Sequence, residues 1–307
     1  MRNTFSEALY EAASADPKIL ILVADISPAG SMAKFKAQYP ERFINVGVAE
    51  QVMTGIAAGL ALKGLRPFTY TIATFTLYRP FEFVRDDLCY QNLPVTIVGM
   101  GSGIVYSGLG ATHQSMEDVA IAGAIPNMRI IAPGDPLEVV EAVRYCAAQS
   151  DGPIYLKIGK AGEPNVTENA VDPWAFGKLR YIERGSDVCV LSYGTMMAKA
   201  TEVADRLRRE QGKSVSVASV HTLKPLDRDA IAAALRDHSQ VVVMEEHVPH
   251  GGLSSRVKEI AWETGAGCEL HCFTLRDRFM HFYGTHDELL AQHGISVERV
   301  YDRVTGG

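Results

Sequence analysis

Hydrophobic positions change period repeatedly along the first half of the chain. Phe5, Ala8, Leu9, Ala12 and Ala13 recur at helical spacing within 4–15, and Pro17 follows the helix end. Residues 18–24 then form an almost unbroken apolar run that predicts a buried strand ending at Asp25, in a parallel sheet covered on both faces. A short apolar strand end, Asn45-Val46-Gly47-Val48-Ala49, delivers Glu50 into a helix over 50–63. That helix carries Gly55, Ala57, Ala58, Gly59 and Ala61, so it must pack closely against another backbone. Further along, the pattern predicts strands at 66–71, 95–99, 130–132 and 154–158. Helices are expected at 76–90, near 115–123 and at 135–149, and a glycine-rich loop spans 101–114. Alternating strands and helices imply a doubly wound α/β domain over residues 1–160.

Residues 161–184, with Gly162, Pro164, Asn165, Asn169, Pro173 and Gly177, lose this rhythm and read as a linker. A second doubly wound α/β domain is expected over 185–307. Its strands fall at 187–192, 214–220, 240–245 and 268–273, with helices at 195–210, 227–236, 252–264 and near 286–293. No repeat of fixed period interrupts either half.

Composition narrows the function classes. The chain has 307 residues, 47% apolar and 21% charged, with mean hydropathy near zero. A net charge of -6 argues against a nucleic-acid surface, which is normally basic. No apolar run reaches membrane-span length and no signal-peptide core follows Met1, so a cytoplasmic protein is expected. Cys89, Cys146, Cys189, Cys268 and Cys272 are scattered and odd in number, as reduced core thiols are. Cys268, Leu270 and Cys272 alternate as one face of a strand and do not make a zinc site with His271.

Candidate chemistry gathers where open parallel sheets bind ligands, outside the carboxyl ends of the strands. Asp25, Glu50, Phe75 and the 101–114 loop all follow expected strands. Glu50 alone could simply complement its helix N-terminus. Phe75, Tyr78 and Phe81 stand at i, i+3 and i+6, either as core packing or as an aromatic platform for a flat heterocycle. His113 is the only histidine in the first 220 residues and sits among Gly108, Gly110 and Gln114. Gly99-Met100-Gly101-Ser102-Gly103 lacks the third glycine and the helix of a dinucleotide fingerprint.

Val46-Gly47-Val48-Ala49-Glu50-Gln51, then the aromatic run, then Gly108-Leu109-Gly110-Ala111-Thr112-His113-Gln114 together resemble the pyrimidine-binding domain of the transketolase group of thiamine-diphosphate enzymes. Leu223-Lys224-Pro225-Leu226-Asp227, Glu245-Glu246-His247 and Gly251-Gly252-Leu253 resemble the group's C-terminal domain, so the likeness spans the chain. The group's Gly-Asp-Gly motif for Mg²⁺ and diphosphate has no match. Gly134-Asp135-Pro136 comes nearest and fails. The resemblance therefore implies the C-terminal, or beta, subunit of a split transketolase. It also implies an N-terminal partner subunit that holds most of the Mg²⁺ and diphosphate site, and homodimerisation through the helix at 50–62 to give an α₂β₂ assembly.

By the same resemblance, the cofactor is thiamine diphosphate, whose thiazolium carbanion takes up a two-carbon ketol unit. Glu50 is implied to hydrogen-bond N1′ of the aminopyrimidine, a task for which burial should raise its pKa. Phe75 is implied to stack on the pyrimidine with Tyr78 and Phe81 around it, and Asp25 to lie near the thiazolium. His113 would contact the donor's hydroxyls and the developing oxyanion. Substrate contacts are expected from His113, Gln114, Arg2, Lys160 and Leu109. Lys160 replaces an arginine and cannot make its bidentate fork. Leu109 replaces an acid that reads a sugar hydroxyl, Gly101 a phosphate-contacting histidine, and a phosphate-contacting serine falls near Ala29. These losses imply small sugar substrates with a specialised acceptor. A pyruvate-dehydrogenase-type beta subunit and a deoxyxylulose-phosphate-synthase-like enzyme are the alternatives.

Overall fold

The computed structural model describes residues 1–26, 30 and 32–306. Its first sheet is laid down by β1 (Ile19–Val23), β2 (Phe43–Asn45), β3 (Arg66–Ile72), β4 (Thr96–Met100), β5 (Arg129–Ile131) and β6 (Ile154–Ile158), all parallel. Between them run α1 (Arg2–Ala15), α2 (Met32–Gln38), α3 (Glu50–Leu62), α4 (Ala73–Leu77), α5 (Phe81–Phe83), α6 (Asp118–Ala124) and α7 (Pro136–Ala148). The second half adds β7 (Arg180–Glu183), β8 (Val188–Ser192), β9 (Val215–Ser219), β10 (Thr222–Lys224), β11 (Gln240–Met244) and β12 (Glu269–Phe273). Its helices are α8 (Met197–Gln211), α9 (Arg228–Asp237), α10 (Leu253–Thr264), α11 (His286–His293) and α12 (Val297–Thr305).

Alternation within β1 explains the doubly wound architecture. Leu20 and Leu22 enter the hydrophobic cluster on one face of the sheet, while Ile19, Ile21 and Val23 enter the cluster on the other. Every position in the strand is buried, as the unbroken apolar run requires. The first cluster continues into the second half through residues such as Leu191, Ala218 and Val243, so the two halves share apolar packing.

Strand order is β10-β5-β6-β4-β3-β1-β2 in the first sheet and β12-β11-β8-β9-β7 in the second. Two of these neighbours depart from the sequence expectation. The end of the expected linker forms β7, which pairs antiparallel with β9. Thr222–Lys224, three residues of the second half, form β10 and pair antiparallel with β5 of the first sheet. The single helix expected at 76–90 is divided: α4 starts three residues earlier, a turn interrupts at Pro80, and a π-helical segment runs from Val84 to Tyr90. Proline has no N–H to continue the ladder, which accounts for the break. α2 and α12 lie outside the expected elements. The expected alternation of β12 is present, with Cys268, Leu270 and Cys272 packed against one cluster.

Asp135 explains why the nearest match to a Gly-Asp-Gly motif fails. It is the N-cap of α7, and its Oδ1 accepts from Glu138 N–H at 2.9 Å. Its Oδ2 accepts from the N–H groups of Val166 and Thr167, fixing the segment after β6. Both oxygens are committed to the fold.

Candidate active site

Parallel strands bring their carboxyl ends to one rim, and the chain leaves that rim at Asp25, Val46, Ala73, Gly101 and Gly159. Asn45 organises the turn after β2. Its Oδ1 accepts from Asp25 N–H and from Gly47 N–H, both at 3.0 Å, while Val46 N–H donates to Val23 O. Gly47 has φ +72, a conformation that favours glycine, and the chain turns there into α3. Glu50 is thereby the first residue of α3 and is 2% exposed.

Glu50 is buried beside a cation. Arg79 Nη1 donates to its Oε1 at 2.9 Å. The Arg79 guanidinium also lies over the Phe75 ring, 4.1 Å from the centroid. Phe75, on α4, meets the His113 ring edge-on at 5.1 Å and 72°. A hydrogen bond from Thr74 Oγ1 to Thr112 O, 2.9 Å, ties α4 to the loop that carries the histidine. Glu50, Arg79, Phe75 and His113 therefore form one contiguous group. Burial, followed by the positive charge of Arg79, holds His113 below its ordinary value of 6.5, so the imidazole is neutral at pH 7. Its Nδ1 is engaged by Thr112 Oγ1 at 2.8 Å, leaving Nε2 for a ligand.

A second group adjoins the first. Tyr106 lies 6.0 Å from His113, ring to ring, and Lys160 Nζ sits 5.1 Å over the Tyr106 ring. Arg2 N–H donates to Lys160 O at 3.3 Å, so the two cations are neighbours. Burial raises the Tyr106 pKa, and the charge of Arg2 opposes that rise. Gln114 is buried, and neither its amide oxygen nor its nitrogen has a hydrogen-bond partner. Such an amide is a strong candidate to bond a ligand or water.

Other expected positions fall elsewhere. Tyr78 and Phe81 pack against the opposite hydrophobic cluster from Phe75, so the three aromatics do not share one packing environment. Asp25 is exposed, in a left-handed conformation with φ 56, and Leu109 is 52% exposed. Ala29 lies outside the described residues. Gly101 has a positive reason to be glycine: at φ +74 a Cβ there would run into the Tyr106 ring. Tyr106 and Arg79 are the site residues that sequence reasoning misses. Arg79 stands inside the aromatic run and Tyr106 inside the glycine-rich loop, where only the pattern around them draws attention.

The group fits a flat, nitrogen-rich heterocycle: one buried carboxylate, one aromatic face, and a planar guanidinium already lying against both. Among the described residues, no cluster of three or more His, Cys, Asp or Glu side chains is placed to hold a metal ion.

Comparison with known proteins agrees with this geometry. The transketolase pyrimidine-binding domain matches residues 1–162, and the transketolase C-terminal domain matches residues 177–300. One of the two kinds of chain in the apulose-4-phosphate transketolase of Actinobacillus succinogenes is 30% identical over 98% of this chain and 96% of its own. A 6-deoxy-6-sulfo-D-fructose transketolase subunit of a Clostridium species is 37% identical over 86% of this chain and 81% of its own. A solved split-gene transketolase, described as an inactive beta4 tetramer, superposes with a TM-score of 0.86 at 33% identity, covering 99% of this chain and 96% of that one. With one family accounting for both halves of the chain and for the residues gathered at its sheet rim, this protein belongs to the transketolases, as a chain made of their pyrimidine-binding and C-terminal domains.

Proposed function

We propose that this chain is the C-terminal subunit of a split transketolase that moves a two-carbon ketol unit from a ketose to an aldehyde acceptor. The observation that carries the reading is the joining of buried Glu50 to the Phe75 ring through Arg79, with neutral His113 edge-on to the same ring. Thiamine diphosphate, when bound, supplies the nucleophilic carbon that accepts the ketol fragment. Glu50 holds a proton at N1′ of the aminopyrimidine, and Phe75 covers that ring. His113, through Nε2, orients a donor hydroxyl and exchanges its proton. Gln114 supplies donor and acceptor positions to the sugar. Arg2 and Lys160, held together beside Tyr106, take an anionic tail on the substrate. Leu109 and Gly101 leave that pocket with fewer polar groups for an ordinary sugar phosphate.

Mg²⁺ and the diphosphate belong, on this reading, to a separate N-terminal subunit. Mg²⁺ requires carboxylates and phosphate oxygens in a near-octahedral array. A relative composed of beta chains alone is described as inactive, which supports a need for that partner. α3 carries exposed Val52 and Ile56 along a helix lined with glycine and alanine, which suits homodimerisation within an α₂β₂ assembly. No described helix is long and apolar enough to cross a membrane.

Calorimetry with thiamine diphosphate and Mg²⁺ tests the reading. Tight binding and ketol transfer are expected only after the N-terminal subunit is added. Tight binding and turnover by this chain alone overturn the split-site assignment. CO₂ release from pyruvate, or transfer to a lipoyl carrier, would instead identify one of the two related chemistries.

A further inference from the structure

Arg79 stands between the two groups assigned to the aminopyrimidine. Its guanidinium donates to Glu50 at 2.9 Å and lies 4.1 Å from the centre of the Phe75 ring. A guanidinium is a flat, delocalised N–C–N unit with donors in its plane. The amidine edge of an aminopyrimidine is also flat and delocalised, with polar nitrogens in its plane. Each is satisfied by one in-plane carboxylate and one aromatic face, and this site holds one of each. Phe75 packs on the hydrophobic cluster and meets His113 at its edge, so the face under Arg79 is the one a heterocycle needs.

We propose that Arg79 is a built-in stand-in for the aminopyrimidine, filling its place in the cofactor-free chain and leaving when the cofactor enters. The proposal rests on the assignment of Glu50 and Phe75 to the pyrimidine. Its physical logic lies in the burial of Glu50. A carboxylate at 2% exposure without a counter-charge is strongly unfavourable. Arg79 supplies that charge until a ligand supplies hydrogen bonds. The Arg79 side chain is 42% exposed and follows α4 in the turn before Pro80, so it can swing into solvent without unpacking a core. Cofactor affinity is then reduced by the fraction of molecules in which Arg79 is home. Closure of the empty site also keeps Glu50 from trapping other cations.

Two substitutions, Arg79→Ala and Arg79→Lys, test this in the chain assembled with its N-terminal subunit, with thiamine diphosphate and Mg²⁺ as the probe. Arg79→Ala should bind the cofactor roughly tenfold more tightly and faster, with Arg79→Lys between it and wild type. Thermal melting supplies a second readout. The Ala variant should melt earlier than wild type when empty and at the same temperature when loaded. Affinity unchanged or weakened in both variants, or equal loss of stability in the empty and loaded forms, overturns the stand-in role. If the wild-type assembly itself fails to bind thiamine diphosphate, the pyrimidine assignment falls and takes this inference with it.

Discussion

Glu246, just beyond β11, accepts a hydrogen bond at 2.9 Å from the backbone N–H of Ile104 in the glycine-rich loop of the first domain. Its other oxygen accepts from Thr195 Oγ1 at 3.0 Å and pairs with His286 Nε2 at 2.7 Å. Gly103, at φ +63, fits only because it lacks a Cβ, which would collide with the Glu246 carboxylate. The loop that carries His113 is therefore held in part from the C-terminal domain.

This clamp should respond to pH. Burial opposes the charge on His286, but the Glu246 carboxylate outweighs it and raises the pKa above 6.5. Burial likewise raises Glu246, yet His286, the Ile104 N–H and Thr195 win and hold it below 4.5. A raised histidine contributes stability that is complete below its unfolded value and lost as pH rises through the folded one. A depressed carboxylate contributes stability that is complete above its unfolded value and lost as pH falls through the folded one. The pair is strongest between 4.5 and 6.5 and weakens above that window. The stability advantage of wild type over His286→Gln should shrink when melting is compared at about pH 6 and about pH 9. An advantage that stays constant across that range would refute the linkage.

Glu50→Gln keeps the volume and the acceptor for Arg79 but cannot share a proton with N1′. The fold should survive, and exchange of the cofactor's reactive C–H proton in the assembled enzyme should slow by roughly 10² to 10⁴. Exchange near the wild-type rate would remove Glu50 from the chemistry.

Gly101→Ala places a methyl against the Tyr106 ring in a backbone conformation that side chains rarely adopt. A loss of about 2 kcal/mol or more is expected by chemical denaturation. Adding Tyr106→Ala should recover the steric share and leave the backbone share. Additive losses in the double-mutant cycle would show that the two positions do not meet.

Phosphorylated aldoses should be poor acceptors. Leu109 is exposed at the glycine-rich loop where the resemblance leads one to expect an acid, and Gly101 has no side chain to meet a phosphate. Leu109→Asp should improve acceptors that carry a matching hydroxyl, to the extent that the surrounding pocket accommodates them. Efficient turnover of ribose 5-phosphate by the unmodified assembled enzyme would show that these replacements do not set specificity.

Most of the first sheet can be read from the chain because parallel strands buried on both faces leave long apolar runs, as at 18–24. Glu50 and His113 are legible for a different reason: glycine and small residues around them mark close backbone approach. β10 is not legible. Three residues ahead of a proline carry no periodicity, and their pairing with β5 depends on where the second half docks. Arg79 is hidden by its neighbours, since a charged residue within an aromatic run reads as the solvated side of a helix. Its partner lies twenty-nine positions earlier and on another element. The amphipathic pattern of α12, with Val300, Tyr301 and Val304 buried, is present in the sequence but short and close to the chain end.

β10 also decides what a separated first domain would look like. Without Thr222–Lys224, β5 would be the outermost strand, with unpaired backbone groups open to any chain that could add to them. The second half supplies that missing border and braces it. Lys224 Nζ donates to Gly123 O and Ile125 O, and Arg256 reaches Leu223 O. Severing the peptide between the two halves would leave a noncovalent pair, held by a shared ladder, rather than two independent bodies. The seam between the homologous domains is therefore a boundary of ancestry more than of mechanics.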